Sequence, residues 1–371
     1  MSENQNYFQI GHIANPLDIK IENVSPKGKS CNIVIPARVN TFLCHHDYFV
    51  NPPKPRIYPV NSINFAVAKF TEATVELRND KEIHINASEN HSAIIEHAVR
   101  IMQKTLGINI GFNIEAKNLH NISHGGLASS SAIMSAVAQA INILMGNALS
   151  VNEITKLLSQ NYGEETSETS KKGFISNAAS IGGSTAVGSS GKSLVIVGGE
   201  SEIWCLDDLP KEYCAILLYP KKIKVISKAM DNALNKKELL LLENVDDGWG
   251  EIKENMLKVK IIPSINKKDY SVLFRAINMY TIGAFGNIPK YFGFRWTSQG
   301  VPFESIIYDI FSKLFGTLKI EENCFFVSSN GPLIAIITKY PKRVSALLKG
   351  FNRNFIIEKV ALCNGIKYKL K

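Results

Sequence analysis

The chain has 371 residues, 45% of them hydrophobic, which is enough for a sizeable core and for two ordinary domains. No run reaches the roughly 18 to 20 apolar residues of a membrane span, and the opening MSENQNYFQI lacks the basic, apolar, small-residue order of a secretory leader, so a soluble, cytoplasmic protein is expected. The net charge of +9 comes from dispersed lysines without a nucleic-acid module, so no nucleic-acid partner is expected, and six cysteines without CxxC spacing read as buried thiols.

Residues 31–43 (CNIVIPARVNTFL) and 60–78 (VNSINFAVAKFTEATVELR) carry strand character, and the prolines between them mark a loop. Residues 89–106 have apolar positions at helical spacing, and INIGFNIEAK returns to strand. Next comes HNISHGGLASSSAIMSAV, residues 120–137, where two glycines and three serines lead into an apolar helix with Gly146 as its stop signal. Ser150 and Glu153 form a capping box for the helix that follows. A glycine- and serine-rich segment, GFISNAASIGGSTAVGSSGKS, precedes the strand LVIVGG. Farther on, CAILLYP, NCFFVSS and LIAIIT read as strands and YSVLFRAINMYTIGAF as a helix. A boundary near residue 200 divides the chain into domains 1–200 and 201–371, and no internal repeat is visible.

Two segments are candidates for holding phosphate. AVGSSGKS, residues 186–193, fits a loose P-loop expression, but Lys192 runs directly into a strand. A P-loop needs a helix there, so the segment is expected to be a hairpin with its tip at Gly188–Gly191. The stretch at 120–137 meets the contextual requirement. Gly125 and Gly126 let the backbone approach a ligand, the first N–H groups of the helix lack internal partners, and Ser129, Ser130 and Ser131 offer hydroxyls to phosphate or magnesium. On these residues alone, a phosphate cradle and a serine-capped helix stand level.

The segment GGLASSSA, residues 125–132, resembles the phosphate loop P-x-x-x-G-L-G-S-S-A of the GHMP kinase superfamily, with Ile122 in place of the proline and Ala128 in place of the third-position glycine. PARVNTFLCHHDY, residues 36–48, is similar to the galactokinase signature G-R-V-N-L-I-G-E-H-x-D-Y at Arg38, Val39, Asn40, His45, Asp47 and Tyr48, while Leu43 and Cys44 depart from it. VSSNGPLIAII resembles the third family motif, S-G-S-G-P-x-x-x-A. About residues 230–315 match no motif.

The resemblance implies an α+β chain with the two-domain GHMP kinase fold: an N-terminal ribosomal-protein-S5-like α/β domain and a C-terminal ferredoxin-like α+β domain. It implies ATP and Mg2+ as cofactors and a small-molecule acceptor as partner; the oligomeric state is left open, a homodimer being one option. His124, Gly125, Gly126, Leu127, Ala128, Ser129, Ser130 and Ser131 would hold the nucleotide phosphates. Ser130 and Glu165 would ligate the metal, with Glu164 and Glu168 as neighbouring alternatives to Glu165; Arg38 would stabilise charge at the transferring group, and His45, Asp47 and Tyr48 would bind acceptor hydroxyls.

Family kinases with a catalytic aspartate carry it in a segment like G-x-x-D-x-x-x-x-x-x-G-G. Here that segment is GFISNAASIGG, residues 173–183, without a carboxylate; Ser176 stands at the aspartate position read forward from Gly173, and Ile175 read backward from the glycine pair. Homoserine kinase, in the same superfamily, works without that aspartate. Three readings follow: a kinase acting on a sugar-like hydroxyl, a decarboxylase resembling diphosphomevalonate decarboxylase, or a catalytically silent nucleotide-binding module. Ser329 before NGP, where the decarboxylase motif has an aspartate, ranks the second below the first.

Overall fold

A computed structural model of the chain describes residues 7–19, 21, 24–44, 61–87, 91–120, 126–165, 173–177, 182–221, 224–225, 250–283, 296–298, 301–328 and 332–371. Its first elements are β1 (Tyr7–Gln9), β2 (Ser30–Thr41), β3 (Ser62–Leu77), β4 (Ile83–Ala87), α1 (Ser92–Leu106), β5 (Phe112–Asn118), α2 (Ser129–Leu144) and α3 (Val151–Gln160). They are followed by β6 (Gly163–Glu164), β7 (Phe174–Asn177), α4 (Gly183–Ser190), β8 (Leu194–Val197) and β9 (Ile203–Asp207). The second half contains β10 (Cys214–Pro220), β11 (Lys224–Val225), α5 (Gly250–Met256), α6 (Ile262–Asn266), α7 (Ser271–Gly283), β12 (Trp296–Ser298) and β13 (Val301–Pro302). Last come α8 (Phe303–Phe315), β14 (Asn323–Val327), β15 (Ile334–Thr338), α9 (Pro341–Leu348), β16 (Phe355–Ala361) and β17 (Lys367–Leu370). The architecture is the mixed α+β arrangement that the sequence implied.

The first sheet has the order β17-β2-β3-β5-β4, with β8 also on β3 and β9 on β8. In the first part of β2, Cys31, Ile33 and Ile35 alternate into a core shared with apolar residues of α1, α2 and α3. The β2–β3 register then breaks between Pro36 and Ala37. Proline has no N–H to give a ladder and favours such an irregularity. Beyond it, Ala37 and Val39 enter a different core. α4 lies along the break: a side chain on Gly188 would press on Ile35, and one on Gly183 would reach Arg38. Ile35 and Arg38 are three apart, so a regular strand would send them to opposite faces.

The second sheet has the order β14-β15-β10-β16. Along β10, Ala215, Leu217 and Tyr219 join the core that also takes Ala37, Val39, Phe65 and Val67 of the first sheet. Ile216 and Leu218 face the other way, onto Ile307 and Phe311 of α8 and Val344 of α9. The middle core thus joins the two sheets. β1-β7-β6 and β11-β12-β13 form two small sheets, and β17 pairs antiparallel with β2.

The segment expected to be a hairpin is instead α4 followed by β8. Its glycines and serines are small residues selected for close packing: Ser131 meets Ser184 at 2.8 Å, Ser135 meets Thr185 at 2.7 Å and Gln139 meets Ser189 at 3.2 Å, one hydroxyl ladder between α2 and α4. Tertiary packing has overridden weak helix propensity. The helix precedes Lys192 and the strand follows it, the reverse of a P-loop, and the lysine pairs with Asp208 at 2.7 Å. All six cysteines are free thiols, five of them buried. Among the described residues no helix is long and apolar enough to cross a membrane. The capping box at α3 is present, with Ser150 accepting from Glu153 N–H and Glu153 accepting from Ser150 N–H. Ser150→Ala is expected to lower stability by about 1 kcal/mol, read as a lower urea midpoint at unchanged slope.

Candidate active site

A serine in the second half draws three sequence-distant segments together. Ser328 Oγ donates to Gly126 O at 2.7 Å and accepts from Asn40 N–H at 3.2 Å, and its own N–H donates to Leu333 O at 2.8 Å. The phosphate-loop candidate, the strand bearing Arg38 and the third motif therefore meet at one hydroxyl. Ser329–Gly331 of that motif lie outside the described residues.

At the start of α2, the serine-capped alternative is not what the fold adopts. The N-cap is Ala128, which has no hydroxyl, and no side chain caps the helix. Its φ of 57° lies in the left-handed region, where a glycine would be unstrained; Gly126, with φ 95°, also needs positive φ. Leu127 is buried in the middle core, and Ser129 and Ser130 are buried in the first turn. Ser131 spends its hydroxyl on Ser184 and on Ala128 O. His124 and Gly125 lie outside the described residues.

Ser130 opens a hydrogen-bonded chain. Its hydroxyl bonds the Tyr162 oxygen, and the Tyr162 O–H donates to the Glu164 carboxylate. Burial, then the Glu164 charge, pushes the Tyr162 phenol well above its ordinary value, while Ser130 and Arg38 pull the other way, so the tyrosine keeps its proton as a donor. Glu165 turns toward α1: its carboxylate accepts from the N–H groups of Ala93 and Ile94, supplying the first turn of that helix with the cap that His91 does not provide, while its Oε2 is buried without a partner among the described residues. Burial raises its pKa and those two bonds oppose the rise. Adjacent residues on an extended segment point to opposite sides, which is how neighbours separate so completely.

Arg38 is 7% exposed and donates from one terminal nitrogen to Asn40 Oδ1, while its Nε has no partner. A methyl group on Gly183 would collide with Asn64 Oδ1 and come within 3.1 Å of Arg38 Nε, so the close approach of α4 to the strand pair requires a glycine there. Ser176 stands in β7 directly opposite Glu164, between β6 and β1; its side chain lies outside what is described. His45, Asp47 and Tyr48 also lie outside the described residues, but the strand leading to them is held from the second half by Lys253 Nζ, which donates to Leu43 O at 3.0 Å. Among the described residues no three His, Cys, Asp or Glu side chains cluster as a metal cage.

Ser328 and Gly183 stand inside the motif segments without a role that their spacing assigns, and Tyr162 and Asn64 belong to no motif. A polar residue in an otherwise apolar buried strand, as Asn64 is in INFAV, was the available signal.

Residues 93–187 match the family model for the GHMP kinases N terminal domain. The fold is shared with solved structures of low sequence identity. One is homoserine kinase from Cytophaga hutchinsonii, 16% identical, TM-score 0.58, covering 94% of this chain and 99% of that one. Another is mevalonate diphosphate decarboxylase from Staphylococcus aureus, 16% identical, TM-score 0.61, covering 92% and 98%. A third is mevalonate-3-kinase from Thermoplasma acidophilum with mevalonate 3-phosphate and ADP bound, 10% identical, TM-score 0.56, covering 92% and 99%. A search of curated proteins gives no match. Residues 93–187 are thus similar to the N-terminal domain of GHMP kinases, and the chain as a whole shares its fold with those solved structures.

Two substitutions probe this geometry. Ser328→Ala leaves Gly126 O and Asn40 N–H without their buried partner and is expected to cost roughly 1–3 kcal/mol in chemical denaturation. Ala128→Gly relieves the left-handed strain and is expected to raise stability, by no more than about 1 kcal/mol because glycine also loosens the unfolded chain.

Proposed function

We propose that the chain is an ATP- and magnesium-dependent kinase that transfers the terminal phosphoryl group to a hydroxyl of a small, sugar-like metabolite. The observation that carries this reading is the meeting, around Ser328, of an uncapped helix N-terminus, a serine–tyrosine–glutamate chain and a buried arginine.

The residues present suit such a ligand. Orphan N–H groups at the start of α2 favour a phosphate, and residues 124–131 would cradle it. Magnesium carried on a nucleotide needs only one or two protein oxygens, and Ser130 with Glu164 offers them, Glu164 taking the part first expected of Glu165. When bound, the magnesium nucleotide supplies the phosphoryl group and neutralises part of its charge. Tyr162 keeps the Ser130 hydroxyl and the Glu164 carboxylate in fixed relation. Arg38 is fixed in the protein before reaction, so its charge stabilises developing charge without reorganisation. His45, Asp47 and Tyr48 bind acceptor hydroxyls. Without an aspartate at Ser176, catalysis rests on positioning and electrostatics, with Glu164 as the carboxylate opposite that position.

A decarboxylase is the second reading, favoured by the likeness to mevalonate diphosphate decarboxylases and by Ala128 in the loop. A screen of ADP release over sugars, amino alcohols and mevalonate derivatives separates the readings. A kinase releases ADP with one acceptor class and no carbon dioxide, a decarboxylase releases both, and nucleotide binding without turnover points to a silent module. Glu164→Gln and Ser130→Ala are each expected to weaken magnesium-nucleotide affinity about 10-fold or more. Glu165→Ala is expected instead to lower stability by about 1 kcal/mol and leave that affinity in place.

A further inference from the structure

Arg38 is a buried cation surrounded by neutral groups. Among the described residues no carboxylate bonds it; its one side-chain partner is the amide oxygen of Asn40. Burial lowers its pKa to about 10, the behaviour of a charge that has lost water without gaining a counter-ion. Among the described residues three polar atoms here have no partner: Arg38 Nε, Asn40 Nδ2 and Asn64 Oδ1. Asn40 and Asn64 are 1% and 0% exposed, so solvent does not satisfy them.

Register places these groups on one face. Asn40 and Asn64 are direct cross-strand partners, and Arg38 is two residues before Asn40. Asn64 is anchored from behind, its Nδ2 donating to Ser62 Oγ at 2.9 Å, which leaves its oxygen turned toward Gly183 and Arg38. Asn64 Oδ1 and Arg38 Nε both face the start of α4, where a side chain on Gly183 would meet the amide oxygen first and Arg38 Nε next.

We propose that Arg38, Asn40 and Asn64 form a pocket whose positive charge no described residue compensates, and that an oxyanion of the ligand, phosphoryl or carboxylate, completes it. Arg38 Nε and Asn40 Nδ2 donate to that oxyanion, and Asn64 Oδ1 accepts from a hydroxyl beside it. Asn40 is the residue that keeps the pocket open to an anion, because an aspartate there would fill it from within. This deepens the kinase reading, on which it rests only for the place of the pocket in the active site.

The test is Asn40→Asp. The change is isosteric, retains the oxygen that accepts from Arg38 and replaces an NH2 that has no partner, so in effect it adds only charge. Wild type, Asn40→Asp and Arg38→Gln are compared by calorimetric titration with inorganic tripolyphosphate and with glycerate, a hydroxy acid, and by melting temperature without ligand. The expected result is a probe that binds wild type, binds Asn40→Asp at least tenfold more weakly, and gains nothing from Arg38→Gln, while the ligand-free Asn40→Asp protein melts at a higher temperature. Tripolyphosphate as the responding probe assigns the pocket to the nucleotide, and glycerate assigns it to the acceptor. Should Asn40→Asp fail to fold, the wild-type and Arg38→Gln comparison decides. No binding by wild type of either probe, or equal binding by wild type and the variants, overturns the proposal. Because binding is read and not turnover, loss of anion affinity in Asn40→Asp would stand even if no acceptor released ADP. Turnover with unaltered anion affinity in that variant would keep the kinase and remove the pocket.

Discussion

The break in register between Pro36 and Ala37 is the constraint on which the rest of the molecule turns. It lets one strand serve two cores: Cys31, Ile33 and Ile35 pack under the first layer of helices, and Ala37 and Val39 pack against the second sheet. It also brings Ile35 and Arg38 to the same side, so a single short helix can lie along both. That helix must then be built of small residues, and it is tied to α2 by hydroxyls at helical spacing rather than by apolar bulk. Arg38 is consequently delivered beside the start of α2 by ordinary strand geometry plus one irregularity of the kind that often re-aims side chains near active sites.

The site's polar groups are arranged by the same economy of direction. Glu164 and Glu165 are neighbours in sequence, yet one joins Tyr162 and Ser130 and the other caps α1. Ser328 reaches the site from the second sheet and satisfies two backbone groups of the first half, so the relative placement of the two sheets is coupled to the shape of the phosphate-loop candidate. A buried hydroxyl with both roles filled stabilises modestly by itself and is costly to lose, because the groups it serves have no water to turn to.

Much of the fold was legible because it follows hydrophobic period. CAILLYP alternates between two cores and is β10, the apolar run after Ser131 is α2, and Ser150 with Glu153 caps α3 as written. α4 was illegible for a physical reason: glycine and serine signal loops when judged locally, and only the nearness of α2 and β2 makes them the residues a helix needs there. The site was legible as motifs but not as contacts. Asn40 was read as part of a signature, whereas its cross-strand partner Asn64 belongs to no motif and comes into view only through pairing. Glu164, Glu165 and Glu168 stand together in the sequence, and only strand pairing singles out Glu164 as the one directly across the ladder from Ser176.

β17 gives the architecture an order in time. β2, which carries Arg38 and Asn40, has β3 on one side and β17 on the other, and β17 is synthesised after every strand of the second sheet. Until it emerges, the edge of β2 presents unpaired backbone groups to any other extended segment. The growing chain therefore carries an open strand edge at Cys31–Val34, on the side of the break away from Arg38, while the second sheet is still being made, and such an edge is prone to mispairing until β17 closes it.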